Sequence, residues 1–241
     1  MKNLKYLTVI FLCLATTSCI NGQFRRSVYG NRNVVKKERP AGQFNSVKVS
    51  TGIDLYLSQG DNMSITVEAD ENLHEYIITE IKGDVLYIRH EDNINVREAE
   101  RERVYVTMKD IKSLHTSSAG DIVGQTPIKT DNLELDASSA GDIKIEVYAN
   151  KIKLDGSSSG DITLTGETDI LEADLSSAGD LYAYNLKTRE ADISASSAGD
   201  ADIFVTDKLT ARASSAGDIN YKGDPKYIDA HSSSAGGINK K

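Results

Sequence analysis

The sequence has no tryptophan, four phenylalanines and three prolines, and both of its cysteines lie within the first nineteen of 241 residues. Each shortage excludes something. Aromatic residues at 6% cannot fill a wide, ring-packed core, so the interior must be thin and lined by small aliphatic side chains. The scarcity of proline, with no Pro/Gly tract, excludes a collagen-like chain or low-complexity disorder. Cys13 and Cys19 are the whole thiol inventory, so a chain that loses its leader has no intramolecular disulfide. Positive charge is also short: 28 Lys and Arg against 36 Asp and Glu give a net charge of −8, with a pI near 5.1. A nucleic-acid binder that works by neutralising phosphates needs the opposite balance, so nucleic acid is excluded as a partner.

What is present begins with an address. Lys2 and Lys5 precede a largely apolar run from Leu7 to Ala15, which is too short to span a bilayer and has the length of a secretory core segment. Thr16-Thr17-Ser18-Cys19 follows and resembles a bacterial lipobox, in which the chain is cut before the cysteine and the thiol carries a lipid. Thr16 stands where that motif usually has Leu. Residues 1–18 are therefore expected to be a lipoprotein signal peptide, with Cys19 as lipidation site and membrane anchor. Ile20, where an Asp would signal inner-membrane retention, favours the outer membrane and leaves open whether the protein faces the periplasm or the surface. Residues 19–42 are polar and carry Arg25, Arg26, Lys36 and Lys37, which predicts a tether.

Past residue 110 the chain repeats itself. The hexad Ser-Ser-Ala-Gly-Asp-Ile, or a close variant, recurs seven times. Its Gly-Asp step falls at Gly120-Asp121, Gly141-Asp142, Gly160-Asp161, Gly179-Asp180, Gly199-Asp200 and Gly217-Asp218, with Gly236-Gly237 in the seventh copy. The intervals are 21, 19, 19, 20, 18 and 19 residues, and a period near 20 marks a solenoid. Seven residues before the Asp stand Leu114, Leu135, Leu154, Ala173, Ile193, Ala211 and Ala230; one residue after it come Ile122, Ile143, Ile162, Leu181, Ala201, Ile219 and Ile238. Around these positions apolar residues recur every second place, which is strand periodicity. Each repeat over 111–239 is therefore expected to supply two short strands around a Ser-Ser-Ala-Gly corner, in which Gly provides positive φ and Ala fits a crowded bend. Residues 43–110 are less regular and read as an N-terminal cap or wider first coils. Ser50-Thr51-Gly52-Ile53-Asp54 looks like a degenerate hexad, Lys82-Gly83-Asp84 like a hairpin turn, and Asp70 like the cap of one helical turn. The fold class is all-β, a β-solenoid.

Gly52-Ile53-Asp54-Leu55-Tyr56-Leu57, then Val67-Glu68-Ala69-Asp70-Glu71-Asn72-Leu73, the repeated hexads and the closing Gly237-Ile238-Asn239 together resemble the head GIN domain family of auto-transporter adhesins over about residues 41–239. The resemblance implies a right-handed, parallel β-helix-like fold and a place in the cell envelope. It carries no catalytic residue across.

Motifs for chemistry are few. His74, His90, His115 and His231 form no ligand cluster, and no Gly-x-Ser-x-Gly elbow or phosphate-binding glycine loop occurs. No cofactor and no catalytic residue is expected. Two acidic columns stand out: the hexad aspartates, and Asp136, Asp155 and Asp174 in the strand that precedes the hexad. Carboxylates about 4.8 Å apart repel by roughly 3.5 kcal/mol at an effective dielectric of 20, so something must relieve them. Solvation and turn hydrogen bonds are the favoured answer, with calcium at Asp136, Asp155 and Asp174 as the alternative. The leading functional reading is a non-enzymatic envelope lipoprotein that binds an unidentified glycan or extracellular protein, or acts as a scaffold. The other reading is a carbohydrate-active β-helix enzyme of the polysaccharide lyase or hydrolase type, for which Lys153 with Asp155, and Arg212, are the only candidate groups.

Overall fold

The structure is a computed structural model that describes residues 26–241, so the expected signal peptide and Cys19 lie outside the described residues. The first half comprises β1 (Arg26–Tyr29), β2 (Val34–Arg39), β3 (Ser46–Val49), β4 (Asp54–Gln59), β5 (Ser64–Asp70), β6 (Ile77–Lys82), β7 (Val85–His90), β8 (Ile94–Arg97) and β9 (Glu102–Met108). The repeat region comprises β10 (Ser113–Thr116), β11 (Ile122–Gly124), β12 (Ile128–Ala137), β13 (Ile143–Gly156), β14 (Ile162–Leu175), β15 (Leu181–Ala195), β16 (Ala201–Ala213), β17 (Asp218–Lys222), β18 (Tyr227–Ser232) and β19 (Gly237–Lys240).

From β10 onward each strand pairs in parallel with the strand one repeat later, so the chain climbs a solenoid of about seven turns. Only the end repeats supply separate short strands, β10 and β11 at one end and β17 and β18 at the other; the middle repeats do not. From β13 to β16 a single strand of 13 to 15 residues runs from one corner to the next and stays in the ladder while it bends. The bend shows in the burial pattern: Ile143, Ile145 and Val147 point inward, then the phase slips across Ala149-Asn150-Lys151, and Ile152 and Leu154 point inward again. Register shifts at Thr163/Thr165, Ala183/Lys187 and Thr188/Glu190 lie in the stretch between hexads, and this stretch absorbs the variation in repeat length. The core is a stack of aliphatic columns, such as Leu114, Leu135, Leu154, Ala173, Ile193 and Ala211, all buried. Each buried Leu or Ile contributes about 1.5–3 kcal/mol.

The N-terminal half visits its coils out of order. β3 and β4 lie directly beneath β10 and β11, with Leu114 opposite Val47 and Ile122 opposite Leu55. β7 and β9, later in the chain, form the next coil outward by pairing with β3 and β4. The turn at Thr51-Gly52 is in line with the hexad corners, since Gly52 N–H donates to Ser118 O (2.9 Å). Antiparallel strands then close this end: β5 on β9, β6 on β7 and β2 on β5. The β6–β7 hairpin turns at Gly83, as the sequence predicts.

Two expectations are corrected here. Within the stretch read as a tether, residues 26–29 and 34–39 are strands: β1 pairs with β8 and β2 is an edge of the main sheet. The polar sequence of β2 is that of an edge strand with only one partner. Its cations are used, with Lys36 Nζ 3.7 Å from Glu68 Oε1 and Arg39 donating to His74 O (2.7 Å). Asp70 also makes no side-chain cap to the short 3-10 turn at Glu71–Leu73. Instead its fully buried carboxylate accepts from Arg32 N–H (2.8 Å) and Glu100 N–H (3.2 Å), and so pins two segments of the cap.

Candidate binding surface

The hexad corner is a type I′-like turn built from the wrong residues for one. Its two central positions, Ser118-Ala119 and their equivalents up to Ser234-Ala235, all have φ between 48° and 63°, a left-handed conformation that usually calls for Asn or Gly. The corner glycine does not carry the positive φ, which corrects the expectation. Gly is needed there because the coils approach too closely for a side chain: a Cβ on Gly160 would sit 2.5 Å from the carbonyl carbon of Ala137 and 2.7 Å from Ser138 N. The strained peptide groups are paired between coils. Ala140 N–H donates to Ser158 O (3.1 Å), Ala178 N–H to Ser197 O (3.2 Å), and each corner closes with a bond such as Gly141 N–H to Ser138 O (3.1 Å).

The hexad aspartates belong to this same corner. Asp121 Oδ1 accepts from Asp142 N–H (3.2 Å), Asp142 from Asp161 (3.1 Å), Asp180 from Asp200 (3.0 Å) and Asp200 from Asp218 (2.9 Å). These four carboxylates therefore each bond one coil to the next. Burial, followed for Asp161 by its neighbours Asp142 and Asp180, pushes the carboxyls of Asp121, Asp161 and Asp200 above the ordinary range.

On the sheet face that leads into the corner, Tyr87, Lys48, His115, Asp136, Asp155, Asp174, Ser194, Arg212 and His231 form one outward column. Asp136, Asp155 and Asp174 are thus side by side, and burial followed by Asp174 raises the Asp155 carboxyl. Among the described residues no three His, Cys, Asp or Glu side chains are arranged to hold a metal ion. Lys153 stands between Glu134 and Glu172 in the neighbouring column, and Arg212 is paired with Asp192 (3.3 Å). The groups named for an enzyme are therefore not brought into one cluster. The histidines are dispersed as well: His90 Nε2 is 2.6 Å from Glu102 Oε1, His115 Nδ1 is 3.5 Å from Asp136, His231 pairs with Asp229 (2.8 Å), and buried His74 faces Val35 O (3.1 Å).

Among the described residues two hollows interrupt the regular surface, both where the N-terminal half meets the first repeats. A groove of about 1200 Å³ runs along the bend opposite the hexad, past Lys129-Thr130-Asp131-Asn132, Tyr148-Ala149-Asn150 and Thr168-Asp169. A smaller depression of about 290 Å³ adjoins the corner, lined by Lys48, Tyr87, Arg89, His115 and Asp136 among others. Ser113 lines the groove and His115 the depression, and a hydrogen bond of 2.6 Å joins their side chains. Reading the sequence missed the groove, because its residues share no motif.

A family model described as "Putative auto-transporter adhesin, head GIN domain" matches residues 43–225. The chain belongs to the head GIN domain family. Solved structures share its fold. A "putative adhesin" from Bacteroides fragilis is 20% identical, covers 89% of this chain and 100% of its own, and superposes with a TM-score of 0.80. A "putative adhesin" from Parabacteroides distasonis is 22% identical, with coverage of 90% and 100% and a TM-score of 0.75. A "putative lipid binding protein" from the same species is 23% identical, with coverage of 90% and 100% and a TM-score of 0.73. No curated protein matches. In this head GIN domain the segment Gly52 to Leu57 is the turn into β4 and β4 itself, and Gly237-Ile238-Asn239 lies in β19.

Proposed function

We propose that this head GIN domain is a non-enzymatic binding module of the cell envelope, anchored to the outer membrane by a lipid on Cys19 and binding an extracellular glycan or protein through its side. The observation that supports this most is the lateral surface itself. The coils stack in register, and many of the charged groups on their sides are ion-paired or bonded from coil to coil, as Glu167, Glu172, Asp169, Asp192 and Asp207 are, rather than gathered around one reacting point. The adhesin names carried by the family and by its structural relatives agree with an envelope role. The leader with Thr16-Thr17-Ser18-Cys19 supports the anchor, and among the described residues no helix is long and apolar enough to cross a membrane.

Two experiments test the parts separately. Metabolic labelling with a palmitate analogue should mark the wild-type protein and not Cys19→Ala, which should move from the membrane to the soluble fraction; equal labelling of both would refute the anchor. A screen of the full chain against glycan and matrix-protein arrays should give saturable binding. Turnover of any arrayed polysaccharide, seen as new reducing ends or unsaturated products, would refute the non-enzymatic reading.

A further inference from the structure

The bend opposite the hexad changes character along the solenoid. In the upper coils its polar groups are paired from rung to rung: Glu167 with Lys187 (3.0 Å), Asp169 with Arg189 (3.2 Å), and Asp207 with Lys226 (2.8 Å). Glu167 and Asp169 form the upper rim of the groove; at its lower rim, in β12, the ion pairing stops. Lys129 stands in register with Tyr148, and among the described residues it has no carboxylate within 4.0 Å. Asp131 accepts from the Asn150 amide (3.1 Å) and, among the described residues, makes no ion pair. Tyr148 exposes 42% of its surface, and its hydroxyl is tied to Glu146 Oε1 (2.9 Å), which fixes the ring from one side. The floor is also fixed, because the Gln59 amide both donates to Lys129 O (2.9 Å) and accepts from Lys129 N–H (2.7 Å).

We infer that this groove binds a neutral oligosaccharide, with Tyr148 as the stacking platform and Asp131, Asn132, Asn150 and Lys129 as partners for its hydroxyls. The inference rests on the binding-module reading and names the ligand class of that module. Size is the first argument: about 1200 Å³ exceeds the 300–1,000 Å³ or so of a site for one drug-sized molecule, so the groove suits a chain of sugars. Chemistry is the second. A carboxylate beside an amide presents acceptors and donors at adjacent points, as neighbouring hydroxyls require. An exposed aromatic ring fixed from one side offers its apolar face to the C–H face of a sugar at little entropic cost. Charge is the third. With Glu167 and Asp169 neutralised by Lys187 and Arg189, Asp110, Asp131 and Glu134 stand against Lys112 and Lys129, a near balance that favours neither an anionic glycan nor a basic peptide.

The test is calorimetric titration of the full chain in detergent with a panel of hexaoses (cello-, malto-, manno- and xylohexaose), with hexagalacturonate and hexalysine as charged comparisons. At least one neutral hexaose should bind. Tyr148→Ala and Asn150→Ala should each weaken that binding tenfold or more, and Tyr182→Ala, an exposed tyrosine outside the groove, should change it less than twofold. Binding that survives both groove substitutions would overturn the site and leave the module reading intact. Preference for hexagalacturonate or hexalysine over every neutral hexaose, or no binding by any neutral hexaose, would overturn the ligand class, while the protein arrays decide the broader reading independently.

Discussion

Replacing Gly160 by alanine isolates the claim that the corner glycine serves close approach and not backbone conformation. The new Cβ would lie 2.5 Å from Ala137 C, and ordinary contact begins near 3.4 Å, so the two coils must separate by about 0.9 Å at that corner. Four inter-coil bonds cross it: Ser157 N–H to Ala137 O (2.9 Å), Ala140 N–H to Ser158 O (3.1 Å), Ile143 N–H to Asp161 O (2.9 Å) and Asp161 N–H to Asp142 Oδ1 (3.1 Å). An opening of that size takes such bonds past useful length. With two to four of them lost at about 1 kcal/mol each, the expected cost is about 3 kcal/mol, within the range for overpacking. Gly52→Ala is the control: its φ is +74° but its Cβ meets nothing within 4 Å, so it should cost about 1 kcal/mol, from left-handed strain alone. Urea unfolding of both variants followed by circular dichroism, compared at equal m, reads the difference. Equal costs, or a Gly160→Ala cost below about 1 kcal/mol, would refute the reasoning.

Other consequences are testable with the same assay. Ala178→Gly removes a left-handed alanine with φ 58° and should stabilise by about 0.5–1 kcal/mol, since relieved strain outweighs the added unfolded-chain entropy. Asp142→Asn keeps the oxygen that accepts from Asp161 N–H and should shift stability by less than about 0.5 kcal/mol, whereas Asp142→Ala should cost about 1 kcal/mol. In acid two opposed effects separate. The raised Asp54, Asp121, Asp155, Asp161 and Asp200 carboxyls bind protons more tightly in the folded state. Their destabilisation is full above the folded pKa values and is relieved as pH falls through these toward 3.8. The His74 imidazole is lowered by burial, so its contribution is present above about 6.5 and is lost as pH falls through the lowered value. The unfolding midpoint of His74→Gln should therefore rise as the raised carboxyls take up protons on the way from neutral pH toward 3.8, and a fall before that value is reached would contradict the assignment.

Much of the solenoid was readable because its determinants are local and repeated. The two-residue alternation around Leu135, Leu154 and Ile193 states which side faces in, and the hexad states where the chain turns. Long-range placement was not readable: nothing local in Val85–His90 or Glu102–Met108 says that these strands form a coil outside β3 and β4, since that order depends on which edge was still open. Lys36 and Lys37 suggested a tether because a one-sided edge strand and a solvated linker share a polar composition. The glycine was assigned the wrong task for a similar reason. Sequence shows that a small residue is needed, but not whether φ or a neighbouring carbonyl demands it. The groove escaped notice because Lys129 and Asp131 come from one repeat and Tyr148 and Asn150 from the next, and they become neighbours only through register.

The central claim is that the hexads form one line with one coil per step. Spin labels at exposed corner positions measure this directly, through pairs of cysteines at Ser139 and Ser215, Ser118 and Ser234, and Thr51 and Ser234, in a chain whose own cysteines both precede residue 20. Four, six and seven steps of about 4.8 Å give expected backbone separations of about 19, 29 and 34 Å by double electron–electron resonance. Separations that fail to grow with the number of intervening corners, or a Thr51 label no farther from Ser234 than the Ser118 label is, would contradict the stacked-coil account.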